Sequence, residues 1–278
     1  MKNITIKQKM FSILVKFTGL MAVFLILFPI VWLIRTSLIP TVYLFDIPPP
    51  LFVKPTLAAY HRVFYTQNLA MRMFTSLMVA SASTFIAVAV GSMAAYAVTR
   101  FYMPFSKNLP FAFLFLRMMP SVAVLMPIFL MFSKMRLLDT YIGLICTYTT
   151  IAIPTVIWMM WGFLRDLPKE IEESAYIDGS GYFNTFVKIV LPITLPAVAS
   201  VAILSFTSAW NEYMMASILT RTKVATLPPA VVALMVRTEL AWDNVTAGGV
   251  VLALPIIVLS ICAQKYFVQG LSAGAVKG

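Results

Sequence analysis

The chain is 278 residues long, 61% apolar and only 11% charged, with a mean hydropathy of +0.91. Soluble globular chains carry about 25% charged residues, so the composition excludes a water-soluble core and requires long apolar runs. The net charge of +11 is read as membrane topology rather than nucleic-acid binding, because Lys and Arg collect at the ends of membrane spans.

About 20 mostly apolar residues cross a hydrocarbon core roughly 30 Å thick, at 1.5 Å of rise per helical residue. Six stretches reach that length, at about 14–38, 73–99, 109–133, 141–164, 193–219 and 245–267. Backbone groups in lipid must be satisfied within their own segment, so each stretch is expected to be a helix. The fold class is therefore all-α: a polytopic membrane protein with six transmembrane helices, taken as one domain over 1–278. The first stretch is longer than a signal-peptide apolar region and has no small-residue cleavage site after it, so it is expected to stay as a membrane helix. Lys2, Lys7, Lys9 and Lys16 cluster at its start. They orient the N-terminus toward the cytoplasm, and an even number of spans returns the C-terminus to the same side.

The segment 39–71 is an outer loop. Its prolines, including Pro40, Pro48 and Pro55, argue against continuous helix, and Thr56 to Tyr65 is expected to form a short surface helix. The single histidine, His61, falls there and is expected to be a solvated or capping residue rather than a catalytic one. The third span carries Pro110, Pro120 and Pro127. These prolines predict kinks, either in a bent packing helix or in one that flexes or lines a path. Arg117 lies about eight residues into that span. Cys146 and Cys262 lie inside spans with no disulfide or metal-ligand spacing, and are expected to pack in apolar surroundings.

The inner loop 165–191 is too polar and regular for a passive connector. Pro168 suits a first helical turn, and Glu170, Glu172 and Glu173 follow where the positive end of the helix dipole favours them. Gly179 supplies the left-handed residue that ends many helices. A helix of about ten residues is expected, then a turn, then a second helix over Tyr182 to Val190. Such a unit is either an ordinary surface helix or a knob that docks a soluble partner. In the fifth span Trp210, Asn211, Glu212 and Tyr213 stand together. With Arg117 they are candidates for a polar translocation path, or for structural polar groups at a membrane interface. No catalytic constellation and no metal cluster is legible, so the chain is expected not to be an enzyme. None of the eleven glycines is followed by lysine, so no phosphate-binding P-loop is present and any pumping would draw on a partner.

Glu173-Ser174-Ala175 with Asp178-Gly179 and Ile189-Val190-Leu191-Pro192 resembles the EAA loop of ABC importer permeases. Leu137-Leu138-Asp139-Thr140-Tyr141-Ile142-Gly143, Ala209-Trp210-Asn211-Glu212-Tyr213 and the C-terminal string from Gly270 to Gly278 are similar to the carbohydrate branch, in particular the MalG-like subunit. The resemblance covers essentially the whole chain. It departs from the usual pattern in one place, where Ser174 stands for alanine.

The resemblance implies a cytoplasmic coupling helix that docks an ATPase through Glu172, Glu173, Ser174, Ala175, Asp178 and Gly179, with all three glutamates available to basic residues of the partner. It implies a homologous sister permease, two ATP-binding-cassette ATPase subunits and an extracytoplasmic sugar-binding protein as partners, with the chain itself multi-pass in the cytoplasmic membrane and surrounded by lipid. The chain itself would bind no cofactor, ATP and Mg being used by the partner subunits. The outer loops 39–71 and 220–243 would receive the binding protein, and the tail from Gly270 would touch the ATPases. The implied substrate is a di- or oligosaccharide such as maltose or trehalose, or a polyol. The rivals are an ABC permease for another solute such as glycerol phosphate, a stand-alone secondary carrier and a membrane-embedded enzyme.

Overall fold

The computed structural model describes residues 6–48, 50, 52–102, 108–237 and 241–275. Among the described residues the regular elements are all helices, with no strand. The long helices are α1 (Ile6–Ser37), α2 (Leu69–Arg100), α3 (Leu109–Arg117), α4 (Ser121–Lys134) and α5 (Tyr141–Arg165). They continue as α6 (Glu170–Ile177), α7 (Tyr182–Ile193), α8 (Leu195–Trp210), α9 (Met214–Leu219), α10 (Leu227–Arg237) and α11 (Trp242–Ala275).

Four helices, α1, α2, α5 and α11, are each long and apolar enough to cross a membrane. The total reaches six when the bent pairs α3–α4 and α7–α8 each count as one span. The kinked third span expected over 109–133 is two helices at 88°. Pro120 lacks the N–H that would continue the ladder and sits in extended backbone at ψ 130°. Met118 and Met119 close the preceding turn with bonds to Phe115 and Leu116, three residues back. Pro127, by contrast, passes inside α4 without ending it.

The expected fifth span, 193–219, is divided as well. Thr194 separates α7 from α8 at 82°, and Pro196 has no N–H to offer the carbonyl four residues before it. At 16 residues, α8 is about 24 Å long by helical rise. A break at 211–213 then precedes α9.

Contacts cluster the chain into two units, 1–69 with 231–253 and 70–230 with 254–278. In the first, the segment after α1 folds onto the start of α11. Buried Asp243 accepts from Thr41 Oγ1 at 2.7 Å and pairs with Arg62, whose Nε also donates to Asn244 Oδ1 at 3.0 Å. Ser37 and Tyr60 share a hydroxyl contact of 2.7 Å. The expected surface helix appears as Ala58–His61 continuing into a wide turn over Arg62–Thr66. The apolar window of α1 is unburied along its whole length.

The second unit has two apolar clusters. One joins α2, α5, α7 and α8 through Ala87, Tyr96, Val156, Met160, Phe186, Val190 and Val201. The other joins α2, α4, α5 and α9 through Val79, Phe132, Leu144, Tyr148, Met215 and Leu219. Cys146 and Cys262, expected to be packed away, are both exposed. Each falls on a helix face that this chain leaves uncovered, and a thiol is apolar enough to sit there.

Candidate functional site

The inner loop forms a defined unit. Helix α6 starts at Glu170, two residues later than Pro168 suggests, with the N–H groups of Glu172 and Glu173 closing on the Lys169 carbonyl at 2.9 and 3.0 Å. It ends as expected at Gly179, which lies at φ 82°. Ser180 N–H donates to the Ala175 carbonyl at 2.9 Å and Gly179 N–H to Tyr176 at 3.1 Å. Those two bonds satisfy carbonyls that a helix end otherwise leaves open.

The six residues proposed to dock an ATPase divide between two faces. Glu173, Ser174, Asp178 and Gly179 are exposed, as are Glu170 and Ile177. Ser174 turns its hydroxyl back onto the Glu170 carbonyl at 2.9 Å, so replacing the usual alanine adds no outward donor. Glu172 and Ala175 are buried. The expectation that all three glutamates meet a partner is therefore corrected at Glu172, and Ala175 packs inward instead of offering a landing surface.

Glu172 is engaged within the chain. Its Oε1 accepts from Arg100 Nε at 2.7 Å, and its Oε2 accepts from the Tyr96 hydroxyl at 2.7 Å. The Tyr176 hydroxyl lies 3.0 Å from that of Tyr96, and Arg100 Nη2 also donates to the Leu167 carbonyl at 3.1 Å. Tyr96 and Arg100 are one turn apart on α2, and Glu172 and Tyr176 one turn apart on α6, so the two pairs face each other. Burial, then the negative charge of Glu172, hold the Tyr176 hydroxyl protonated above its usual range, against the opposing bond from Tyr96. Sequence reading missed Arg100. The available signal was the matching four-residue spacing of Tyr96-Arg100 and Glu172-Tyr176.

The five path candidates do not form one constellation. Arg117, at the end of α3, is exposed and reaches the Thr155 hydroxyl on α5. Trp210 is corrected: it is 1% exposed and stacks on Phe206 with ring centroids 6.0 Å apart, so it fills the core and presents no face to a solute. Asn211 is exposed and donates from Nδ2 to the Thr207 carbonyl at 2.9 Å. Glu212 Oε1 accepts the Met215 N–H in the first turn of α9 at 2.9 Å, while its own carbonyl accepts from Tyr148 at 3.3 Å. Tyr213 is exposed beside them.

At the other end of α5 a second polar centre appears. Asp139, at φ 55°, accepts backbone N–H groups from Arg221 and Val224 on Oδ1 and from Thr222 and Lys223 on Oδ2, at 3.0–3.2 Å. Burial pushes its carboxyl up, but these four donors together hold it well below the usual carboxylate range. Thr140 accepts the Gly143 N–H at 3.1 Å and caps α5.

Residues 87–273 match the family model for the binding-protein-dependent transport system inner membrane component. The chain belongs to that family. Over 258 residues the permease is 34% identical to the trehalose transport system permease protein SugB of Mycobacterium tuberculosis, covering 91% of this chain and 93% of that one. It is equally 34% identical over 258 residues to the trehalose/maltose transport system permease protein MalG of Thermococcus litoralis, covering 91% and 92%. Among solved structures, the permease superposes with a TM-score of 0.78 on a chain of a bacterial ABC transporter involved in the import of the acidic polysaccharide alginate. That match spans 96% of this chain and 100% of the other at 20% identity, and it supports the shared helical fold.

Proposed function

We propose that this permease is the membrane-spanning subunit of an ATP-binding-cassette importer that carries a di- or oligosaccharide, of the trehalose or maltose kind, inward across the cytoplasmic membrane. One observation carries the reading. Helix α6 is pinned from behind by Arg100 and Glu172, while Glu173, Ile177, Asp178 and Gly179 face outward in a chain akin to trehalose and maltose permeases. The exposed acids suit basic residues of an ATPase, and Ile177, 86% exposed, suits an apolar hollow beside them.

Two ATPase subunits would supply the energy, a homologous permease would complete the pathway, and an extracytoplasmic sugar-binding protein would deliver the solute to the outer segments. Both termini would lie in the cytoplasm. ATP-driven movement of α6 shifts the membrane helices only if its contacts differ between the two states. The test is uptake of labelled trehalose and maltose by cells expressing the complete set of subunits. Glu173→Lys and Gly179→Asp are expected to abolish uptake and ATPase co-purification while the permease still inserts. Normal uptake and co-purification in both variants would remove the docking role.

A further inference from the structure

We propose that Arg100 and Glu172 form the joint through which displacement of α6 is handed to α2, which makes both of them positioning residues for transport. The proposal rests on the importer reading above. Helix α6 is joined in sequence to α5 on one side and to α7 on the other, so a push on α6 reaches those helices along the backbone. Helix α2 has no such connection; its chain leads away toward α3. Besides its apolar packing on α5, α7 and α8, what α2 shares with α6 itself is polar side-chain contact at its last turn. Glu172 uses one carboxylate oxygen on Arg100 and the other on Tyr96, at 2.7 Å each. Two aromatic contacts run alongside, Phe101 on Tyr182 at 4.9 Å and Tyr96 on Phe186 at 5.0 Å between ring centroids.

The side chains of Arg100 and Glu172 are 8% and 3% exposed. A pair this dry has no favourable half-open state, because separating it leaves two desolvated charges without partners. The joint therefore moves α6 and the end of α2 as one body. The face of α6 turned to a partner contains neither residue, so their role differs from that of Glu173.

The experiment uses the assembled transporter, with its ATPases and binding protein, in proteoliposomes, and measures sugar delivered per ATP hydrolysed. Arg100→Ala and Glu172→Gln are expected to keep the ATPases bound and hydrolysing while that ratio falls by about tenfold, inside the usual span of coupling between sites. The exchange of both charges, Arg100→Glu with Glu172→Arg, is expected to recover most of it. In the pair Arg100→Cys with Glu172→Cys, a short reducible thiol cross-linker is expected to restore the ratio, and its reduction to abolish it again. Variants that lose complex in proportion to uptake, at an unchanged ratio, would show a purely structural prop and overturn the proposal. So would a cross-linked pair that stays uncoupled. Absence of ATP-dependent uptake by the unaltered complex would instead sink the importer reading.

Discussion

Removing the carboxylate of Asp139 strands four backbone N–H groups, those of Arg221, Thr222, Lys223 and Val224. Asp139→Ala also places alanine at φ 55°, which aspartate and asparagine tolerate better. Much of this site faces solvent, so water screens part of the loss. The expected outcome is a thermal midpoint lower by about 2–4 °C, the shift that about 1 kcal/mol makes in domains of roughly 150–250 residues. Asp139→Asn should fall between the two. Because the folded carboxyl is held below its unfolded value, its contribution is complete above an unfolded pKa of about 3.9 and disappears only as pH falls through the lower folded value. The gap in midpoint between wild type and Asp139→Ala should therefore stay constant from neutrality to about pH 5 and narrow below it.

Gly143 gives a sharper result: a Cβ there would lie 2.3 Å from the Leu137 carbonyl oxygen, whereas one on Gly162 meets nothing within 4 Å. Gly143→Ala is expected to cost about 1–3 kcal/mol and Gly162→Ala to be neutral or stabilising, as thermal unfolding in detergent will show. Sequence alone marked the coupling residues as a string, because one-letter proximity carries no face. Glu172 and Glu173 differ by a single helical step of about 100°, which turns one toward Arg100 and the other toward solvent.

The helices themselves were legible wherever an apolar run was long, since lipid permits no other backbone solution. The bends were legible only as a set of prolines. Pro29, Pro127, Pro154 and Pro255 all pass inside helices, while Pro120 ends one. A proline removes one bond wherever it stands, and whether the helix stops depends on whether neighbouring groups close the turn, as Met118 and Met119 do here. The contact of α2 with α5 was invisible from composition. It depends on Gly91, where an added Cβ would lie 2.6 Å from Val156 Cγ1. Gly91→Ala is expected to destabilise by about 1–3 kcal/mol, and Val156→Ala in the same chain to recover part of that loss. Thermal unfolding of the two single variants and the double one measures the coupling.

Across the second unit, α5 separates two polar centres. Glu172 and the inner loop lie beyond its C-terminal end, and Asp139 with the 221–224 turn lies before its N-terminal end. At 25 residues the helix is about 37 Å long, enough to hold them on opposite sides of a bilayer. Ile177→Cys should then react with a membrane-impermeant maleimide only from the cytoplasmic side, and Thr222→Cys only from the outside. Labelling with the sides reversed would overturn the topology. Among the described residues the count reaches six spans only if each bent pair crosses as one, and the unburied surface of α1 shows how much apolar area a single permease leaves to its surroundings.

Asp139 grips its neighbours almost entirely by their peptide groups, the Thr222 hydroxyl at 3.3 Å being the one side chain to join among the described residues. The curvature of that turn is thus independent of what the exposed Arg221 and Lys223 carry beyond their Cα atoms, whereas the Val224 side chain is buried in the apolar cluster beneath it. Residues at those two positions can be exchanged without the scaffold beneath them being redesigned, so the outward surface of this turn can diversify while the frame stays fixed.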